Sequence, residues 1–225
     1  MKTKRILGAI LAVAMIHAAY PQAVTANAIA PDSYNAEPIS ICKDTPTSLK
    51  YERLLELLAQ APDFTETRSN ITFADRRITE TELTAWIAEY WGLGGMNSFE
   101  LEVVRLINIE RGNAGLQSLA IDPLLMMAAR FHSQEMADLR YFNHRSPHHG
   151  RSTNRAEMFG HENIKEYVWG VRENISGSTR SPETVVNGWM NSPGHRGAIL
   201  DADAIFLTIG IGAVQGGGTT AKFGA

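Results

Sequence analysis

The chain has 225 residues with 21 basic and 24 acidic side chains, a net charge of −3. That length allows one good core plus an appendage. A mildly acidic chain without a lysine-arginine cluster excludes nucleic acid as an expected partner, and a single cysteine, Cys42, excludes an internal disulfide.

Residues 1–28 read as an export signal. Lys2, Lys4 and Arg5 precede the apolar run Ile6 to Ile16, and Ala26-Asn27-Ala28 offers small residues for cleavage. The run is well short of the roughly 20 residues a spanning helix needs, so no membrane span is expected after cleavage. The leader carries those three basic residues and no acidic ones, so its removal takes −3 to −6. Residues 29–47, broken by Pro31, Pro38 and Pro46, read as a linker.

A helical extension is expected over 48–96. Tyr51, Leu54, Leu55, Leu57 and Leu58 follow a helical spacing that Pro62 ends. Thr79 and Glu82 form a capping box ahead of Leu83, Trp86, Ile87 and Tyr90, and Gly92 suits a helix stop. Such an apolar face must be covered, so the extension is expected to pack on the main domain, with docking on an envelope partner as the alternative.

The main domain, 97–225, opens with the capping pair Asn97 and Glu100, ahead of Phe99, Val103, Leu106 and Ile107. Asp122-Pro123 starts the next helix, carrying Leu125, Ala128, Ala129, His132 and Met136. A strand is expected at 168–175 and a short helix at 183–190. Ile205, Leu207, Ile209, Ile211 and Ala213 alternate with Phe206, Thr208, Gly210 and Gly212 as a strand does, and Thr219–Phe223 follows as another. Helices first and strands between and after, without a repeating βαβ unit, give the α+β class.

Three stretches carry the functional signal. They are Tyr-Phe-Asn-His-Arg-Ser-Pro at 141–147, Gly-Val-Arg-Glu-Asn-Ile-Ser at 170–176, and residues 182–200, which hold Trp-Met-Asn-Ser-Pro-Gly-His-Arg at 189–196. The last places His195 in a turn behind an amphipathic helix. Two imidazoles, His144 and His195, and the Glu173 carboxylate form an open ligand set for a divalent metal, zinc above all, although spacings of 29 and 22 residues do not show that they converge. A metal-bound water would make Glu173 a candidate catalytic group. Rival ligands are His148 and His149, which read as exposed loop residues, and the pair His161-Glu162. His132 and Glu135 read as an ordinary contact one helical turn apart. Ser146 and Ser192, with Asp201 or Asp203, only weakly support a serine hydrolase because no glycine-serine elbow surrounds them. Asn108 and Arg111 read as a structural hydrogen-bond pair, and Trp189 as core.

In that order and spacing, the three stretches resemble the bacterial branch of the CAP superfamily, which groups cysteine-rich secretory, antigen 5 and pathogenesis-related proteins. The resemblance implies an α-β-α sandwich over about 97–224, with His144, Glu173 and His195 in one cleft supported by Asn174 and Ser192. Many members carry a second cleft glutamate where this chain has Ser192. That departure weakens hydrolysis more than metal binding. Two functions are therefore expected of a secreted, extracellular protein. The first is a non-catalytic binding module whose cleft holds a divalent metal and recognises a cell-envelope component, glycan or lipid. The second is a metal-dependent, peptidase-like hydrolase using the same residues, in which Glu173→Gln would remove activity and spare the fold.

Overall fold

A computed structural model describes residues 59–64, 68–161, 171–203, 207–216 and 218–224. The expected signal, the linker with Cys42 and most of the first extension helix lie outside the described residues, as does the part of the expected strand before 171.

Local chemistry sets the helix starts. Helix α1 (Glu80–Gly92) begins at a complete Thr79–Glu82 capping box and is capped at Leu93 rather than at Gly92; glycines at 94 and 95 then take positive φ. Helix α2 (Ser98–Asn113) begins at an equally complete Asn97–Glu100 box. Strand β1 (Ala120–Ile121) leads into helix α3 (Pro123–Leu139), where the Asp122 side chain accepts from the amides of Leu124 and Leu125. Helix α4 (Ser152–Met158) and strand β2 (Val171–Ser176) follow. Helices α5 (Pro182–Met190) and α6 (Pro193–Ile199) each begin at a proline. Strands β3 (Thr208–Val214) and β4 (Gly218–Gly224) complete the described chain.

The four strands form one sheet in the order β1-β3-β4-β2, with β1 parallel to β3 and the other neighbours antiparallel. Side chains alternate across it. Ile209, Ile211, Ala213, Ala221 and Phe223 join α2, α5 and α6 in one core, which also holds Val103, Ile107, Val185 and Trp189. The opposite face presents Gly210 and Gly212 to α3. A Cβ at Gly210 would collide with the backbone of Leu125 and Met126, and one at Gly212 with that of Ala129 and Arg130. The two glycines let a helix lie directly on the sheet. The result is an α-β-α sandwich.

Helix α3 is buried along 125–136 because it is covered on both sides. Its outer face meets α1 in a second core of Phe73, Trp86, Tyr90, Met127, Phe131 and Phe159. Trp86 is fully buried there and donates through Nε1 to Gln134 Oε1 at 2.9 Å. Charge also locks the interior. Glu100 pairs with Arg130 and accepts from the Ala213 amide at 2.9 Å, tying α2, α3 and β3 together. Asn108 exchanges hydrogen bonds with the Leu119 backbone, and Arg111 donates to the carbonyls of Gln117, Ile199 and Asp201.

Candidate functional site

The β2–β4 register builds the site. Glu173 lies opposite Lys222, and Lys222 opposite Gly210, so all three occupy one row on the α3 face. The Glu173 side chain is only 3% exposed and is used on both oxygens. Oε1 accepts from His144 Nδ1 at 3.1 Å. Oε2 accepts from Arg155 Nη2 at 2.7 Å and from the Lys222 ammonium. Burial alone would raise the carboxyl, yet Lys222, the His144 bond and Arg155 hold it well below the ordinary range. Burial and the neighbouring Arg155 push the Lys222 ammonium down to about 7, against the pull of Glu173.

His144 comes from the loop 141–150, which leaves α3 through Arg140 in the left-handed region, φ 54°. The loop is anchored from beneath. His132 donates through Nε2 to the Asn143 carbonyl at 3.1 Å, and Arg155 donates to the carbonyls of His144 and Gly150. Ser146 Oγ accepts from the amides of His148 and His149 and donates to Glu135 Oε1 at 2.6 Å. Turn chemistry thus occupies Ser146.

His149 is buried, 4% exposed, and is not the exposed loop residue expected from sequence. Its Nδ1 donates to Glu135 at 2.7 Å while Nε2 accepts from the Ile78 amide at 3.0 Å. Arg77 donates to the His148 carbonyl, and His148 meets Asp75 at 2.7 Å. Glu135, with His132 3.6 Å away, is the hub of this network rather than half of a simple helical pair. Burial opposes its charge, but the bonds from His149, Ser146 and Tyr141 hold it far below the carboxylate range.

His195 sits on α6, not in a turn as the Ser-Pro-Gly-His-Arg sequence led us to expect. Its carbonyl accepts from Asn174 Nδ2 at 3.0 Å, which joins β2 to α6. Burial, and then the nearby His144, lower its pKa, so the neutral imidazole dominates at neutral pH. Trp189 anchors the preceding helix through a bond from Nε1 to the Ile175 carbonyl.

His144, Glu173, Asn174, Ser192 and His195 line one open cleft of about 370 Å³. That volume is within the range of small-molecule sites. Arg172 also lines it, and sequence reasoning missed this residue. Its Nη1 donates to Asp201 Oδ2 at 2.6 Å and to the Gly197 carbonyl at 3.4 Å. Asp201 therefore serves Arg172 rather than a histidine relay. The place of Arg172 one residue before Glu173 on a strand was the available signal, because flanking positions on an edge strand can reach a neighbouring helix. His161 pairs with Asp122 at 3.0 Å, away from the cleft residues.

The donor set decides what metal chemistry is open. Among the described residues no three His, Cys, Asp or Glu side chains come together as a ready ligand group. The cleft offers two imidazoles, with Glu173 turned to His144 Nδ1 and so leaving Nε2 for a ligand. This is the carboxylate–histidine arrangement that orients a metal-binding ring. His144 and His195 are thus the two side chains here that could hold a divalent metal, two short of a full protein ligand set.

The cysteine-rich secretory protein family (CAP) profile matches residues 104–223. The chain belongs to the CAP family. Its CAP domain is 42% identical over 122 residues to the uncharacterized protein YkwD of Bacillus subtilis (strain 168), covering 54% of this chain and 45% of that protein. It is 33% identical over 112 residues to the uncharacterized membrane protein YlbC of the same strain, covering 50% and 31%. The matches thus span less than half the length of either relative. An extracellular protein containing a SCP domain from Bacillus anthracis str. Ames is similar in structure, with 28% identity, a TM-score of 0.50, and coverage of 58% of this chain and 41% of that one. The CAP domain and its bacterial kinship agree with the motif reading.

The buried histidine beneath the CAP cleft is expected to make the protein acid-sensitive. Burial lowers His132 to about 4, against the pull of Glu135. Between that value and the unfolded value near 6.5, the unfolded chain binds a proton that the native state refuses, so stability falls as pH drops through this window. Glu135 and Glu173, both lowered, add to the loss below about 4.5. We expect urea unfolding to show about 2 kcal/mol less stability at pH 4.5 than at pH 7 from His132 alone. An unchanged midpoint over that range would refute a neutral buried His132.

Proposed function

We propose that the protein is an extracellular, non-catalytic binding module whose cleft between the 141–150 loop and α6 takes its ligand. The observation that carries this is the state of Glu173. Hydrogen-bonded on both oxygens and matched by Arg155 and Lys222, it is a poor general base, and the position that would supply a second carboxylate is Ser192. Hydrolysis driven by a carboxylate base would need one of these groups to accept a proton. The extracellular setting draws support from the expected leader and from the extracellular SCP-domain relative. No helix among the described residues is long and apolar enough to cross a membrane. Envelope components, glycans or lipids are the partner classes this setting offers.

A divalent metal would be held in the cleft by His144 and His195, with ligand or water completing its shell. A resident metal would supply a Lewis-acidic anchor for a ligand's donor atom. Calorimetric titration of zinc into metal-free mature protein tests this, beside the variant His144→Ala/His195→Ala. Binding at micromolar level, lost in a variant that keeps its circular dichroism, is the expected result. Equal binding by both proteins, or none, would retire the metal.

A further inference from the structure

Arg172 gives the cleft a chemical preference. Both hydrogen bonds that hold the side chain run from Nη1, to Asp201 and to the Gly197 carbonyl. The side chain is 37% exposed, so it is fixed at one corner without being sealed. A guanidinium tethered at Nη1 keeps the Nε–Nη2 edge for another partner. Those two parallel N–H groups match the two oxygens of a planar carboxylate. The cleft's own carboxylate does not compete, because Glu173 is turned to His144 and its charge is met from behind by Arg155 and Lys222.

We infer that the cleft recognises a small ligand through a carboxylate, seated on the Nε–Nη2 edge of Arg172 with the imidazoles of His144 and His195 beside it. The inference rests on the reading of this cleft as the ligand site. Two sources supply that chemistry: the free C-terminus of a peptide and the acid group of a sugar. The fixed guanidinium orients the ligand, and the neutral remainder of the cleft, Asn174 and Ser192, faces its uncharged part.

Heteronuclear NMR titration of mature protein in a chelator distinguishes the cases. The probes are acetyl-alanine, acetyl-alaninamide, glucuronate and inorganic phosphate at millimolar concentration and constant ionic strength. The expected result is saturable shifts at residues 172–174 and 192–198 with acetyl-alanine or glucuronate, and affinity about tenfold weaker for the amide and for phosphate. Which acid binds identifies the source. Arg172→Gln should weaken the acid by about tenfold. Arg172→Lys keeps a charge beside Asp201 but lacks the planar edge, so it should also bind weakly, and it decides the matter if the glutamine variant does not fold. Acid and amide shifting the same residues equally would overturn the carboxylate while leaving the cleft as the ligand site. Phosphate binding as well as the acids, or silence from all four probes, would also overturn it, with the zinc titration then judging the cleft by itself.

Discussion

Glu173→Gln is expected to unfold the protein far more readily than a cleft substitution should. The change leaves the ammonium of Lys222 and the guanidinium of Arg155, both with fully buried side chains, facing an amide in place of a carboxylate. Removing one member of a buried charge cluster costs about 3–5 kcal/mol, because the remaining charges were taken out of water on the strength of their partner. This reverses the expectation from sequence that a neutral glutamine would spare the fold. The loss should depend on pH. Lys222, already lowered to about 7, can shed its proton once the carboxylate is gone, so the variant should be less damaged at pH 9 than at pH 6. Urea unfolding at the two pH values checks both parts. A loss below about 1 kcal/mol at pH 6 would mean that Glu173 is not the counter-charge the structure makes it. Adding Lys222→Met to the variant should restore part of the stability, since an apolar side chain carries no desolvation cost.

The second large effect lies at Gly212. A methyl group there would occupy the space of the Ala129 and Arg130 backbone, which no rotamer change can vacate. Gly212→Ala must therefore push α3 off β3, and α3 carries Arg130, Ser133 and His132 with it. Ser133 already bonds across this interface to the Gly212 carbonyl and to Thr220, each at 2.8 Å. We expect a cost of about 3 kcal/mol or more, at the upper end of overpacking effects. Gly188→Ala is the control. That glycine is exposed in the last turn of α5, with nothing near its missing Cβ, so alanine should be neutral or stabilise by up to about 1 kcal/mol. Thermal unfolding of the two variants should separate them by about ten degrees; similar melting temperatures would refute the close contact.

The parts of this fold that are legible in the sequence are those written by neighbouring residues. Thr79 with Glu82, Asn97 with Glu100, and Asp122 with Pro123 mark helix starts because a cap joins residues two or three apart. The alternation around Ile209, Ile211 and Ala213 shows in the same way. His144, Glu173 and His195 could be gathered only through the family's motifs, since nothing local joins residues 22 and 29 positions apart. Lys222 stayed hidden because its partner lies 49 residues away across a strand pair. Its one trace is a lysine in phase with Thr220 on a strand whose other face is apolar. The burial of His149 had no local trace, because the amide that donates to its Nε2 is that of Ile78, 71 residues distant. Pro193 opens a helix where the turn-forming Ser-Pro pair pointed to a loop, which misplaced His195.

The fastening of His149 by Ile78, and of His148 by Asp75 and Arg77, separates two boundaries that are often treated as one. The family profile matches from residue 104. The packed unit begins earlier, because Trp86 and Phe73 close the outer side of α3 and the 75–78 segment holds the loop that presents His144. The profile therefore measures this protein shorter than its packing does, and the cleft's shape is the joint property of the matched core and of the brace that precedes it.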